Sequence, residues 1–278
     1  MEANGHDRKF TVCALEFVGT ALFIFGLIST TLPLSIPFSL FASVVIFGDI
    51  TGGHFNPAVT LGVFTQLGDY GKNFLFMIII MLSQFLGGFA AVGLAWLGAF
   101  TIPDAKIAML GPTNPVTGMM DNGADMDDFS MYIAVLTNEI VGTFLFVSVI
   151  LMVKGKDTAG DRGGVYAAIC VVTTLLCVIS GTNKLGACFN PAVGVSVTTY
   201  SVARITPELP EGFTNNFLYA YVWCYMIGPW CGGLLAGLFH IWHRTSHESA
   251  EHHGSPRTTP HGMPAETNEG LLHNKDYD

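Results

Sequence analysis

Charge is what this 278-residue chain has least of: only 12% of its residues are Asp, Glu, Lys or Arg, against roughly 25% in an average soluble domain. Because 50% of the residues are hydrophobic, one globular core cannot bury the apolar surplus, and lipid is the expected solvent for most of the chain. No basic stripe exists and the net charge is -9, which argues against nucleic acid as a partner. The six cysteines, Cys13, Cys170, Cys177, Cys188, Cys224 and Cys231, form no Cys-x-x-Cys pair, so neither a disulfide framework nor a zinc site is implied. A nucleophile elbow, a phosphate-binding loop and a paired-carboxylate cleft are also missing, so the expectation is a non-enzyme with no cofactor and no metal. No small-residue cleavage site follows the first apolar run, which therefore reads as an anchored span rather than a removed signal peptide.

Apolar length is what the chain has in abundance. Residues 12–34, 74–100, 131–153, 165–179 and 217–241 each hold at most one charged residue, and most reach the roughly 20 residues that cross a hydrocarbon layer about 30 Å thick. A sixth run, 36–50, is shorter but of the same character. Lys and Arg in the flanks set the orientation. An N-terminus in the cytoplasm puts Arg8, Lys9, Lys72, Lys154, Lys156, Arg162 and Arg244 inside and leaves Lys106, Lys184 and Arg204 outside. That bias favours both termini in the cytoplasm, which requires an even number of spans.

The chain is also a repeat. "LEFVGTALF" at 15–23 returns as "NEIVGTFLF" at 138–146, "GGHFNPAV" at 52–59 returns as "GACFNPAV" at 186–193, and "QFLGG" at 84–88 is echoed by "PWCGG" at 229–233. Each half reads span, span, FNPAV, span. Three spans is an odd number, so the second copy enters the membrane from the opposite side, an inverted repeat whose binding sites lie at the midplane. The expected fold class is an all-α membrane protein of six transmembrane helices and two re-entrant half-helices. Its expected division is a cytoplasmic N-terminus (1–9), a membrane domain (10–243) and a disordered cytoplasmic tail (244–278). The membrane domain comprises repeat one (10–100), an extracellular loop (101–128) and repeat two (129–243).

After each FNPAV comes an apolar stretch, 57–66 or 191–200, of about ten residues, or about 15 Å of helix, half the hydrocarbon thickness. Two such half-helices meeting at the midplane make one spanning element. Asn56 and Asn190 suit the N-cap, because their side chains satisfy an orphan backbone N–H. Pro57 and Pro191 preset the helical φ at no hydrogen-bond cost, and Ala58 and Ala192 propagate the helix. Gly52, Gly53 and Gly186 permit the tight backbone of a re-entrant loop. Non-helical backbone at membrane depth must be packed in protein or line a water-filled path. Two helix N-termini aimed at that path place roughly half a positive charge each at its centre. The asparagine amides are then donors for a passing oxygen, and the carbonyls of Gly52, Gly53, His54, Gly186, Ala187 and Cys188 a line of acceptors. One Asn-Pro-Ala alone is an ordinary capped helix; two in repeat register are not.

Duplicated Asn-Pro-Ala motifs among six spans, with "EFVGT" in the first and "NEIVGT" in the fourth, resemble the aquaporin, or major intrinsic protein, family over about residues 10–243. The resemblance implies a passive pore in each subunit of a homotetramer, conducting water and small uncharged solutes across a lipid bilayer, either the plasma membrane or an internal one. It implies that Glu16 and Glu139 bond the backbone of the re-entrant loops, with a proton relay as the alternative. His54 is then a loop-stabilising residue rather than a gate. Asp49 departs from the small residue usual at its place and is either a vestibule residue or a solvated cap.

By the family's spacing the narrowest ring is Ile36, Val178, Ala187 and Val193, none of them polar. Val193 stands where a water-selective member has arginine, the residue that repels cations and donates to the substrate. Tonoplast-type members are similar in carrying Ala and Val at the last two positions, though Ile36 stands where they have His. Phe38, two residues on, is the alternative to Ile36. A ring of this kind implies permeation of water together with ammonia, hydrogen peroxide or urea. Glycerol is less favoured, because Gly194 and Tyr225 replace the Asp and Pro of glycerol-conducting members; Met226 departs in turn from the Trp of water channels. Two rival classes are a non-conducting adhesion or scaffold protein of the same fold, and a secondary transporter, which would need more intramembrane charge than Glu16 and Glu139. The glycines at 228, 232, 233 and 237 suit close helix packing.

Overall fold

The computed structural model describes residues 5–29, 32, 34–99, 110, 129–154, 164–182, 185–205 and 219–253. Among these residues the secondary structure is wholly helical, in eight α-helices. They are α1 (Gly5–Ile28), α2 (Ser35–Thr51), α3 (Pro57–Leu67), α4 (Tyr70–Ala99), α5 (Phe129–Lys154), α6 (Gly164–Thr182), α7 (Pro191–Ile205) and α8 (Val222–His253). Five of them, α1, α4, α5, α6 and α8, contain a span long and apolar enough to cross a membrane. Helix α2, at 17 residues, extends about 25 Å and is the short sixth span. The chain divides into two compact units, Met1–Trp242 and His243–Asp278, and the site lies in the first. The expected extracellular loop, apart from Leu110, and the tail beyond residue 253 lie outside the described residues.

The order is span, span, half-helix, span, given twice in opposite sense, and helix ends follow from local chemistry. Helix α3 stops at Gly68, whose φ of 74° closes it in the left-handed conformation. Helix α7 was expected to stop near residue 200 but runs to Ile205. It has no counterpart of Gly68, and the next helix breaker is Pro207. Helix α8 likewise continues past the start of the polar tail to His253. Residues 245–253 include Glu248, Ala250 and Glu251 and no glycine or proline before Gly254, so nothing there interrupts a helix.

The packing repeats as the sequence does. A Cβ added to Gly232 of α8 would lie 2.5 Å from the carbonyl oxygen of Ile140 and 2.7 Å from Cβ of Thr143 on α5. The equivalent Gly87 of α4 meets Phe17 and Thr20 of α1 in the same way. The half-helices pack across the repeats: α3 rests on α8, where Gly233 and Gly237 face Ala58 and Thr65, and α7 rests on α4, where Gly88 faces Ser196. The four glycines of α8 therefore split into two faces within one chain, Gly228 and Gly232 against α5 and Gly233 and Gly237 against α3.

Candidate functional site

The two half-helices begin at asparagines that act alike. Asn56 has extended backbone (φ -159°, ψ 119°), and its Oδ1 accepts from the N–H of Ala58 at 2.8 Å. Asn190 Oδ1 accepts from Ala192 at 2.9 Å and more weakly from Val193 at 3.4 Å. Each amide then reaches into the other repeat. Asn56 Nδ2 donates to the carbonyl of Phe189 at 2.8 Å, and Asn190 Nδ2 donates to the carbonyl of Phe55 at 2.9 Å. An amide nitrogen carries two N–H donors, so each asparagine has one to hold the partner loop and one in hand.

Two buried acids hold the loops from beneath. Glu16 accepts from the N–H of His54 at 3.0 Å and of Phe55 at 2.8 Å. Glu139 accepts from Cys188 at 2.7 Å and Phe189 at 2.8 Å. Below these bonds the repeats differ. Gln84 Nε2 donates to Glu16 at 2.8 Å and to Thr60 at 2.9 Å, and Thr60 Oγ1 stands 3.2 Å from Nδ1 of His54. In repeat two the positions of Gln84, Thr60 and His54 are held by Pro229, Gly194 and Cys188, and the third donor to Glu139 is the Cys188 thiol, 3.4 Å away.

The spacing of "E-x-x-G" has its reason here. Phe55 and Phe189 take positive φ, 47° and 51°, a conformation that costs a bulky residue about 1–3 kcal/mol. Their rings fill the space beside Gly19 and Gly142, where an added Cβ would lie 2.1 Å from a ring carbon. Glutamate and glycine three residues apart lie on one helix face. The carboxylate thus binds the loop backbone while the glycine admits the phenylalanine that the loop turns inward.

At the meeting point lies a cavity of about 10 Å³, room for about one water. Most of its walls come in repeat-related pairs, Phe23 with Phe146, His54 with Cys188, Phe55 with Phe189 and Asn56 with Asn190, joined by Leu40 of α2 and Leu175 of α6. The four residues expected to form the ring do not line this cavity. Ile36, Val178 and Ala187 are half-buried against the core, and Val193, with 1% of its surface accessible, is enclosed. Phe38 is 61% exposed and points away from the packed interior. Of the two candidates on α2, only Ile36 packs inward.

The loop before Asn56 differs from expectation in one respect. Gly52, Gly53 and Gly186 do take left-handed backbone, with φ of 85°, 59° and 67°, but the Gly52 carbonyl is not a free acceptor. Lys154 Nζ, at the end of α5, donates to it. Asp49 lies at the start of α6, its Oδ1 2.9 Å from where a Cβ on Gly164 would sit, and is exposed. A carboxylate there faces the positive end of a helix. Among the described residues no group of three or more His, Cys, Asp and Glu side chains converges to hold a metal ion.

Sequence reasoning passed over Gln84, Thr60 and Lys154 and the apolar walls of the cavity. The walls carried a signal: Phe23 and Phe146 close the two copies of the first repeat segment at the same position. Lys154 carried none beyond its place at the end of a span.

A family model described as Major intrinsic protein matches residues 6–240. Aquaporin AqpM of Methanothermobacter marburgensis is 29% identical over 208 residues, covering 74% of this chain and 73% of the relative. Aquaporin-8 of Notomys alexis is 27% identical over 252 residues, 84% of this chain and 82% of the relative. The X-ray structure of the aquaglyceroporin from Plasmodium falciparum is similar in fold, with a TM-score of 0.63 at 20% identity, covering 84% of this chain and 95% of that one.

Proposed function

The chain belongs to the major intrinsic protein family, whose members are passive channels and not enzymes, and from that premise we propose that it conducts water and small neutral solutes in single file past Asn56 and Asn190. That the chain is an integral membrane protein of the channel class follows from the family and its apolar spans. The observation that carries the finer reading is the reciprocal asparagine arrangement. Each amide uses one N–H to hold the opposite loop and has a second for an oxygen in the one-water cavity. A water there meets donors on both sides and, apart from His54 and Cys188, apolar walls elsewhere.

Ions are excluded by two terms of the same sign for cations. Stripping a hydration shell against Phe, Leu, Ile and Val costs tens of kcal/mol by Born estimates, and two helix N-termini add partial positive charge at the centre. Neutral solutes meet neither barrier. With Ile36, Val178, Ala187 and Val193 as the outer ring, water forgoes about one hydrogen bond there, worth about 1–3 kcal/mol in a dry site. Ammonia, hydrogen peroxide and urea are the solutes that an apolar, arginine-free ring favours. Tyr225 supports the lesser place of glycerol: it is buried, and its Cβ lies 2.8 Å from where a side chain on Gly194 would start.

The proposed assembly is a homotetramer with both termini in the cytoplasm, in the plasma membrane or an internal membrane. Its channel domain is 10–243. The experiment is solute-driven swelling of proteoliposomes with urea, ammonia and glycerol, for the native protein and Val193→Arg. The expected outcome is urea and ammonia flux in the native protein and retained water flux with loss of urea flux in the variant. Unchanged urea flux in Val193→Arg would show that Val193 is not in the ring.

A further inference from the structure

Resting on the channel reading above, we propose that Lys154 is a specificity-determining residue: its ammonium, held on the Gly52 carbonyl, is a fixed positive charge beside the first re-entrant loop that turns cations back at the mouth opposite the Val193 ring. Three features fix the charge in place. Lys154 is the last residue of α5, so its backbone is anchored by a span. Its side chain is half-buried and its Nζ donates to Gly52, with the site of a Cβ on Gly53 only 3.7 Å away. Gly52 is the C-cap of α2, where the unpaired carbonyls of a helix gather partial negative charge that a lysine complements.

The surrounding groups leave the ammonium this role. The N–H of Gly52 returns to Gly48 at 2.9 Å and that of Gly53 binds Thr51 Oγ1 at 2.8 Å, so the turn satisfies its own donors and presents the Gly52 carbonyl outward. Glu16, the carboxylate beneath the same loop, already receives three N–H donors, from His54, Phe55 and Gln84. Asp49 is directed to the start of α6. The ammonium therefore donates to a neutral carbonyl and not to a carboxylate. The bond also removes one acceptor from the line of loop carbonyls, an oxygen that would otherwise help to strip and coordinate a cation.

This position matters because Val193 stands where a strict water pore of this family holds its positive side chain. Among the described side chains, Lys154 is a cation tied to a pore loop, at the end opposite the Val193 ring. At an effective dielectric constant near 20, removing a unit charge whose repulsion acts over about 10 Å raises cation entry about tenfold.

The test uses the full-length protein in proteoliposomes, measuring potassium efflux relative to osmotic water flux for the native protein and for Lys154→Arg, Lys154→Met and Lys154→Gln. The native protein and Lys154→Arg should give the same low ratio, and Lys154→Met and Lys154→Gln a ratio about tenfold higher. Gln is uncharged and keeps an N–H donor, on a shorter side chain, so it decides the matter if Met does not assemble. Neutral variants that pass water and remain as tight to potassium as the native protein would overturn the proposal. Failure of both neutral variants to assemble, with Arg intact, would overturn it too, in favour of a clamp for the loop alone. Native vesicles that pass no water would sink the channel reading itself, a separate result from either of these.

Discussion

Asn56 donates its side-chain amide to the main-chain carbonyl of Phe189, 133 residues away in sequence and 2.8 Å away in space. The reverse bond, Asn190 to Phe55, closes the pair. Each half-helix is thus capped by its own asparagine and tethered by the other's, so each loop leans on the opposite repeat as well as on the buried glutamate of its own. The site is a joint between two halves, and its mutations should behave as such.

Gly19→Ala and Gly142→Ala each place a methyl 2.1 Å from a ring carbon of Phe55 or Phe189. Overpacking of this kind costs about 1–3 kcal/mol, and the displaced ring belongs to a residue held at positive φ. Both variants should lower thermal stability in detergent and reduce water flux. Because the loops are mutually tethered, the double variant should lose less than the sum of the two, a non-additivity expected of residues in one network. Strict additivity in thermal unfolding would show that the loops are independent.

Glu139→Gln replaces one of two accepting oxygens with a donor, opposite the N–H groups of Cys188 and Phe189. A lost hydrogen bond to a buried charged group costs about 1.5–3 kcal/mol, and the two facing donors add repulsion. The variant should give less assembled protein, measured as the monodisperse fraction in size-exclusion chromatography. Gln84→Ala probes the corresponding network below Glu16 and should cost less, since two backbone donors to Glu16 remain.

Cys188 is the one cysteine on the wall of the central cavity. A small neutral reagent such as methyl methanethiosulfonate adds a group that the space of about 10 Å³ cannot take beside a water. Water flux should fall slowly with exposure, as expected for a thiol that is only 9% exposed, and Cys188→Ala should be resistant. Inhibition that persists in Cys188→Ala would assign the effect to another thiol.

Gly194→Asp tests the account of glycerol. The new side chain would start 2.8 Å from Cβ of Tyr225 and 3.1 Å from its carbonyl oxygen, while the Tyr225 hydroxyl is committed to the Leu185 carbonyl at 3.2 Å. The variant should lose stability without gaining glycerol flux in a swelling assay. A stable variant with raised glycerol flux would show that Tyr225 can move and that residue 194 sets selectivity alone.

Much of this architecture was legible in the chain itself, for a physical reason. Asparagine capping and proline at the first helical position are local rules, and the repeat states each of them twice; the role of Glu16 and Glu139, whose bonds span 38 to 50 residues, came from the family resemblance. The end of α3 at Gly68 is local too. The end of α7 was misjudged because it was drawn by analogy with α3, whereas no glycine stands there to close the helix. The bond from Lys154 to Gly52 was illegible: it depends on which way a non-helical carbonyl faces and which distant helix ends beside it. The same holds for Gln84, whose motif is echoed in repeat two by a proline that has no amide to give.

The most direct test of the central claim is osmotic water permeability of proteoliposomes by stopped-flow light scattering, with assembly of the reconstituted protein verified in the same vesicles. The account predicts shrinkage many times faster than in protein-free vesicles. Assembled protein that leaves the rate at that of bare lipid would contradict it, and would leave a channel fold that serves as scaffold.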